Sequence, residues 1–154
     1  MRENNRRPAL SWVLIILLFA IGIGGLISGP MLFVSPNGEL MGMTTDVLEG
    51  SPFQNFLIPG IILFLFVGVF PVFTGYSLVR KPGWHWPDVI NPVKQYHWAW
   101  TASWTAGVIM LVWIIVETVL LGYISFLQPV IAGWGSIIII LTLTPNVRKY
   151  YLTP

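Results

Sequence analysis

Four long stretches without a charged residue dominate the sequence: Pro8–Gly38, Gly50–Val79, Gln95–Val116 and Thr118–Val147. A helix that crosses a bilayer needs about 20 mainly apolar residues, because each residue adds about 1.5 Å towards a hydrocarbon core of roughly 30 Å. Each stretch meets this length. Charged residues make up only 9% of the chain, whereas a soluble domain has about 25% and needs them to keep its surface wet. The sequence therefore predicts an all-α integral membrane protein.

We expect one membrane domain, residues 1–154, folded as a bundle of four transmembrane helices. The apolar stretches place these helices near residues 9–28, 56–79, 98–123 and 128–144. An outer loop, residues 29–55, then joins the first two helices, and a linker, residues 80–97, joins the second and third. Pro59 and Pro71 predict kinks in the second helix, because proline donates no backbone hydrogen bond.

The positions of the charges predict the orientation. Under the four-helix assignment, one side of the membrane carries all eight basic residues: Arg2, Arg6, Arg7, Arg80, Lys81, Lys94, Arg148 and Lys149. The other side carries Glu39, Asp46 and Glu49 and no basic residue. The positive-inside rule makes the basic side cytoplasmic, so we expect a multi-pass protein of the cell membrane with both termini in the cytoplasm. The first apolar core, of about 20 residues, exceeds the 7–15 of a signal peptide, so we expect it to stay as an anchor.

The outer loop and the linker hold further candidate residues. Ser51 and Gln54 flank Pro52 and Phe53 in a pattern typical of a helix N-terminus, which predicts that the second helix begins there, ahead of its transmembrane part at residues 56–79. Asp46 and Glu49 fit either a pair of carboxylates or ordinary helix-cap acids. Tryptophans in or beside the linker are expected to anchor it at the cytoplasmic interface, where indole rings prefer the headgroup zone. These anchors are Trp84, Trp86, Trp98 and Trp100.

Several kinds of chemistry are excluded by residue type. The chain has no cysteine, which rules out disulfide exchange, thiolate metal sites and cysteine nucleophiles. His85 and His97, with Asp88 between them, lie in a proline-broken linker that fixes no coordination geometry. We therefore expect no metal and no cofactor, and no catalytic motif is present.

Small residues predict how the helices pack. In lipid, helices associate through close backbone approach more than through burial of apolar area. Each predicted helix carries small residues at suitable spacing: Gly25 and Gly29 on the first; Gly60, Gly68 and Gly75 on the second; Ser103 and Gly107 on the third; Gly133, Gly135 and Ser136 on the fourth.

Glu117 is the one ionisable residue that we place inside a membrane span. A charge at this depth costs a few kcal/mol or more, so such residues usually face the bundle interior and often serve a function. The helical spacing places Trp113 and Met110 on the same face as this acid. With Gln128 and Tyr123, which lie near the outer end of the helix, they predict an outward-facing pocket around Glu117. The alternative is a structural role, in which Glu117 bonds Gln128, Tyr123 or a loop amide and holds the outer loop in place.

The sequence also resembles small four-helix membrane proteins of prokaryotes. The residues that carry the likeness are Pro36-Asn37-Gly38, Gly42-Met43, the run from Gly50 to Gly60, the run from Trp113 to Glu117, and the turn from Ser125 to Pro129. The likeness covers most of residues 26–140 but not the linker. It implies the four-helix fold and, since no activity is established for such proteins, no function.

Two functions follow as hypotheses. The first is a non-enzymatic accessory or scaffold module that engages the lipid bilayer and another membrane protein or a second copy of itself. The second is a binder or carrier of a small apolar or cationic molecule, with Glu117 as the counter-charge and Trp113 as an aromatic wall. An enzyme is disfavoured because no nucleophile or metal cluster is evident. A net charge of +2 is too small to indicate a nucleic-acid partner.

Overall fold

The computed structural model of the protein describes residues 6–153, which form six helices. The helices are α1 (Ala9–Val34), α2 (Leu57–Arg80), α3 (His85–Ile90), α4 (Trp98–Leu121), α5 (Leu127–Leu143) and α6 (Pro145–Tyr150). Two short 3₁₀ turns, Glu39–Met41 and Thr45–Leu48, lie in the loop after α1. The all-α prediction is confirmed. Arg2, counted above among the basic residues, lies outside the described residues.

Three helices are long and apolar enough to cross a membrane: α1, α2 and α4. The fourth predicted span corresponds to α5, a shorter apolar helix of 17 residues. At about 1.5 Å per residue, α5 is about 25 Å long, at the lower limit for a hydrocarbon core. The chain is therefore an integral membrane protein with three candidate spans and one shorter apolar helix.

The first helix continues beyond its predicted end. It was expected to stop near Ser28 but runs to Val34, with Pro30 inside it. Pro30 removes one donor from the helix, and the last turns still pack against the next helix, since Leu32 lies against Gly60. The packing of this segment therefore compensates for the hydrogen bond that Pro30 removes from the helix.

The predicted helix start at Ser51 is wrong. The Ser51 hydroxyl accepts a bond from the Phe53 amide at 3.2 Å within a local turn, and helix α2 begins at Leu57. The cause is tertiary: Phe56 is buried, and its amide donates to the Pro36 carbonyl at 2.9 Å. This contact holds the chain before Leu57 in a non-helical path.

The middle of α2 is a π-helix from Leu63 to Val69. The amide of Phe70 bonds the carbonyl of Leu65, five residues earlier, and Pro71 follows directly. Because Pro71 has no amide hydrogen, the regular ladder fails at this point. The wide π turn is thus next to one of the prolines for which a distortion was predicted.

Helices α1 and α2 pack antiparallel with their backbones in close contact. A Cβ atom added to Gly25 would lie 2.5 Å from the Gly68 nitrogen, and one added to Gly29 would lie 2.6 Å from the Phe64 Cβ. Gly24 faces open space. The predicted small-residue contacts at residues 25, 29, 60 and 68 are confirmed.

Helices α4 and α5 form a second antiparallel pair. A Cβ at Gly107 would lie 2.7 Å from the Gly135 carbonyl oxygen. The hydroxyls of Ser103 and Thr142 are 3.1 Å apart, and the Trp100 indole donates to the Thr142 carbonyl at 2.8 Å. The two pairs meet where the α5 residue Trp134 donates to the Leu17 carbonyl of α1 at 3.1 Å.

The antiparallel packing brings basic residues together at one end of the molecule. We call this the basic end and define it by Arg7, Lys81 and Tyr150, which contact one another. The loop between α1 and α2, with Glu39, Asp46 and Glu49, lies at the opposite end.

Candidate functional site

Glu117 lies on α4, one turn before the helix ends at Leu121. Its side chain is half-buried, whereas Val112, Ile115, Val116 and Val119 on the same helix are exposed. Among the four long apolar helices of the described chain, no other Asp, Glu, Lys or Arg lies away from a helix end. The carboxyl group therefore lies at the edge of an apolar surface that has no second charge.

Two donor side chains stand beside the Glu117 carboxyl group: the amide of Gln128 and the indole of Trp113. Gln128 is 3% exposed and lies in the first turn of α5. Its Oε1 accepts from the Ile124 amide at 3.0 Å, and its Nε2 donates to the Gly122 carbonyl at 3.1 Å. Gln128 thus fixes the turn between α4 and α5.

The structure brings together three of the five residues predicted for this pocket and separates the other two. Met110 is 0% exposed and packs against Gly135 inside the α4–α5 contact. Tyr123 is 70% exposed, because Gly122, at φ +74°, turns the chain away after α4. Glu117, Trp113 and Gln128 remain as neighbours.

A groove between α2 and α4, which was not predicted from the sequence, adjoins this group. Its volume is about 360 Å³, and its walls are almost entirely apolar. The lining residues are Ile62, Phe66, Val108, Ile109, Val112, Trp113 and Val116. Phe66 belongs to the π-helical segment, so the groove depends on a backbone irregularity that hydrophobic periodicity does not reveal. Trp113 belongs both to the groove and to the surroundings of Glu117.

The outer loop covers the end of α4. Leu48 and Phe56 are buried together with Leu32, and Leu121 packs against them. The predicted loop candidates Asp46, Glu49 and Gln54 are exposed, and Ser51 is half-buried in its local turn. The loop therefore reaches the helix end nearest Glu117 through apolar contacts, while its polar candidates face outwards.

The four tryptophans predicted as interfacial anchors divide into two groups. Trp98 and Trp100 are buried, and their indoles donate to the carbonyls of Pro82 and Thr142. They are packed inside the protein because the linker folds back over the start of α4. Trp84 and Trp86 are exposed, which is the position that an interfacial anchor requires.

The two histidines lie in different places: His85 begins α3, and His97 directly precedes α4. Among residues 6–153, no group of three His, Cys, Asp or Glu side chains is placed to hold a metal ion. His97 instead caps α4: its Nδ1 accepts from the Ala99 amide at 3.2 Å, and its Nε2 lies 3.2 Å from the Pro82 carbonyl oxygen. Burial lowers the pKa of His97, which favours the neutral imidazole that this cap requires.

Comparisons with known proteins identify no family. No protein-family model, no curated protein and no solved structure matches the chain. What is established is a helical integral membrane protein with three candidate membrane spans.

Proposed function

We propose that the protein is a non-enzymatic accessory module, and that its α4 face docks a helix of another membrane protein. The observation that carries the proposal is the position of Glu117, a half-buried carboxyl at the edge of an exposed apolar face. A carboxyl in a membrane span is expensive unless it meets water or a polar partner. Polar side chains commonly bond across helix interfaces in lipid. A partner helix with a donor at this level adds to the two donors, Gln128 and Trp113, that this chain already places beside the carboxyl.

The groove beside Trp113 is a second argument for docking at the α4 face. Its apolar walls and its length along α2 and α4 suit the side chains of a neighbouring helix. Val116 and Trp113 of α4 line this groove about one turn or less from Glu117, and Val112 lines it about one and a half turns away. Apolar packing in the groove and one polar contact at its outer end together resemble other helix contacts in membranes.

Charge favours a different protein over a second copy. In a symmetric dimer about an axis along the membrane normal, both copies of Glu117 lie at the same depth and on the same interface. Two carboxylates that share a site repel each other. A partner that offers an amide, a hydroxyl or a cation avoids this repulsion.

The proposal includes four membrane spans with both termini in the cytoplasm. Its support is the grouping of Arg7, Arg80, Lys81, Arg148 and Lys149 at the basic end and of acidic residues at the other. The positive-inside rule assigns such an end to the cytoplasm. The docking face near Glu117 then lies towards the outer leaflet of the cell membrane.

Gentle purification from native membranes followed by native mass spectrometry tests the proposal. We expect a reproducible second polypeptide whose recovery falls about threefold or more in Glu117→Gln, since interhelical polar contacts are worth roughly 0.6–2 kcal/mol. Glu49→Gln is the matched control, because it makes the same chemical change on an exposed loop residue. If both variants recover the second polypeptide equally, Glu117 is not part of the interface.

A second candidate function rests on the proximity of Trp113 to Glu117. An aromatic wall beside a carboxylate suits a small apolar or cationic molecule. The same experiment separates this function from the first. A lone chain that carries a constant small-molecule adduct, lost in Glu117→Gln and kept in Glu49→Gln, would replace the accessory role with a binding role.

A further inference from the structure

Two cations lie side by side at the basic end. The Nη2 atom of Arg7 donates to the carbonyls of Leu78 and Val79 at 3.3 and 2.7 Å, at the end of α2. Lys81 follows α2 directly, and its Nζ donates to the Tyr150 carbonyl at 2.8 Å. Each cation thus binds a neutral backbone oxygen, and neither bond supplies a negative charge.

Aromatic rings hold both cations in place. The Lys81 Nζ lies 3.5 Å from the centre of the Tyr150 ring, and the Arg7 Cζ lies 4.6 Å from the centre of the Trp12 ring. Cation–π contacts of this kind attract the cations and orient them. They leave the formal charge of +2 on the pair.

Within residues 6–153, the charged side chain that acts on Lys81 is the cation Arg7 and not a carboxylate. The nearby side chains Arg6, Arg80, Arg148 and Lys149 are exposed. Burial and the charge of Arg7 lower the pKa of Lys81, so the ammonium meets a like charge in a partly desolvated place. The buried Nε of Arg7 has no hydrogen-bond partner within residues 6–153. An anion beside the pair relieves this repulsion.

An apolar stripe on α1 leads away from the pair. Trp12, Ile16, Ile23 and Ile27 recur at steps of four and seven, and each is exposed. Steps of four and seven place residues on one face of a helix. The stripe therefore begins at the ring that contacts Arg7 and continues along the lipid-facing side of α1.

We propose that Arg7 and Lys81 bind the phosphate of an anionic phospholipid, with one acyl chain along the stripe from Trp12 to Ile27. A phosphate suits both cations, since Arg and Lys are the usual phosphate binders. An acyl chain would cover the apolar stripe, whereas a free phosphate would leave those side chains without a ligand contact. The site is separate from the α4 face, so the failure of one proposal leaves the other standing.

Native mass spectrometry of the full chain, reconstituted in vesicles of phosphatidylglycerol and phosphatidylcholine, tests this site. We expect one phosphatidylglycerol to stay bound, and Lys81→Gln to lower its retention about fivefold, as the loss of one cation near a lipid phosphate predicts. Lys94→Gln is the matched control, because Lys94 is an exposed cation of the linker and its replacement makes the same charge change. Lys81→Arg, which keeps the charge, is expected to restore most of the retention.

Three outcomes would overturn the site. Equal losses in Lys81→Gln and Lys94→Gln would show a diffuse attraction of the basic end for anionic lipid. Equal retention of phosphatidylcholine would show that charge is not recognised. Displacement of the lipid by glycerol phosphate at equal concentration would identify a phosphate site without a lipid chain. Because Arg7 also caps α2, Arg7→Gln is judged only after its thermal unfolding matches the wild type.

Discussion

Glu117 and Gln128 are neighbours with different environments. Both polar ends of the Gln128 amide are bonded to the backbone of the turn between α4 and α5. Glu117 lies beside that amide but at the edge of the exposed α4 face. The residue that holds the turn is therefore Gln128, which leaves the carboxyl of Glu117 for another role.

Replacing Gln128 by leucine is expected to destabilise the protein. The change removes the two part-buried hydrogen bonds to the Ile124 amide and the Gly122 carbonyl, and each such bond is worth about 0.5–1.5 kcal/mol. Unfolding in detergent micelles measures the difference. Gln54→Leu, at an exposed position, is the control and is expected to change stability by less than about 0.5 kcal/mol. Equal stability of the wild type and Gln128→Leu would contradict the bracing role of the amide.

The residues of the site were partly predictable. A lone acid in an apolar stretch is visible in any sequence, and Trp113 follows from the one-turn spacing of a helix. Met110 was assigned by the same spacing and Tyr123 by its position at the end of the helix. Neither argument shows that Met110 packs against Gly135 or that Gly122 turns Tyr123 outwards. The groove escaped prediction because Phe66 reaches it from a π-helical turn.

At the scale of the helices, the α1–α2 contact depends on glycine. The backbone of Gly25 approaches that of Gly68 so closely that a Cβ atom has no space. The spacing of the glycines predicted which faces meet, since small residues allow close approach. It did not predict the extension of α1 to Val34 or the late start of α2 at Leu57, because both depend on contacts between distant residues.

Gly25→Ala is expected to loosen this contact. The new Cβ would lie 2.5 Å from the Gly68 nitrogen and 2.7 Å from the Val67 carbonyl oxygen, which belong to the backbone and cannot rotate away. Overpacking of this kind costs about 1–3 kcal/mol. Gly24→Ala is the matched control, because a Cβ there has nothing within 4 Å and alanine favours a helix by up to about 1 kcal/mol. Thermal unfolding of the two variants gives the comparison, and an equal melting temperature would refute the close contact.

At the scale of the whole molecule, the distribution of charge gives the protein a direction. Basic residues gather at one end and acidic loop residues at the other. This polarity was evident in the sequence once the helices were assigned, because basic residues lie before the first, after the second and after the fourth apolar stretch, whereas Glu39, Asp46 and Glu49 lie after the first. In the structure, contacts among Arg7, Lys81 and Tyr150 hold the basic end together.

Cysteine labelling tests the orientation without background, since the natural chain has no cysteine. We expect a membrane-impermeant maleimide to label Glu49→Cys in intact cells and to label Lys94→Cys only after the membrane is opened. Both positions are exposed in the structure, so the reagent reaches each one from its own side. The reverse pattern would show that the orientation is the opposite of the one proposed. Labelling of both positions in intact cells would contradict the four-span arrangement.

The account as a whole depends on whether the α4 face meets a partner protein. The most direct measurement is photo-crosslinking in native membranes from Val116, in the groove beside Glu117, with Ile16 on the exposed face of α1 as control. We predict a discrete product of higher mass from Val116 that contains a different polypeptide, and no such product from Ile16. A product with the mass of two copies of this chain, the same product from both positions, or none from Val116 would contradict the account.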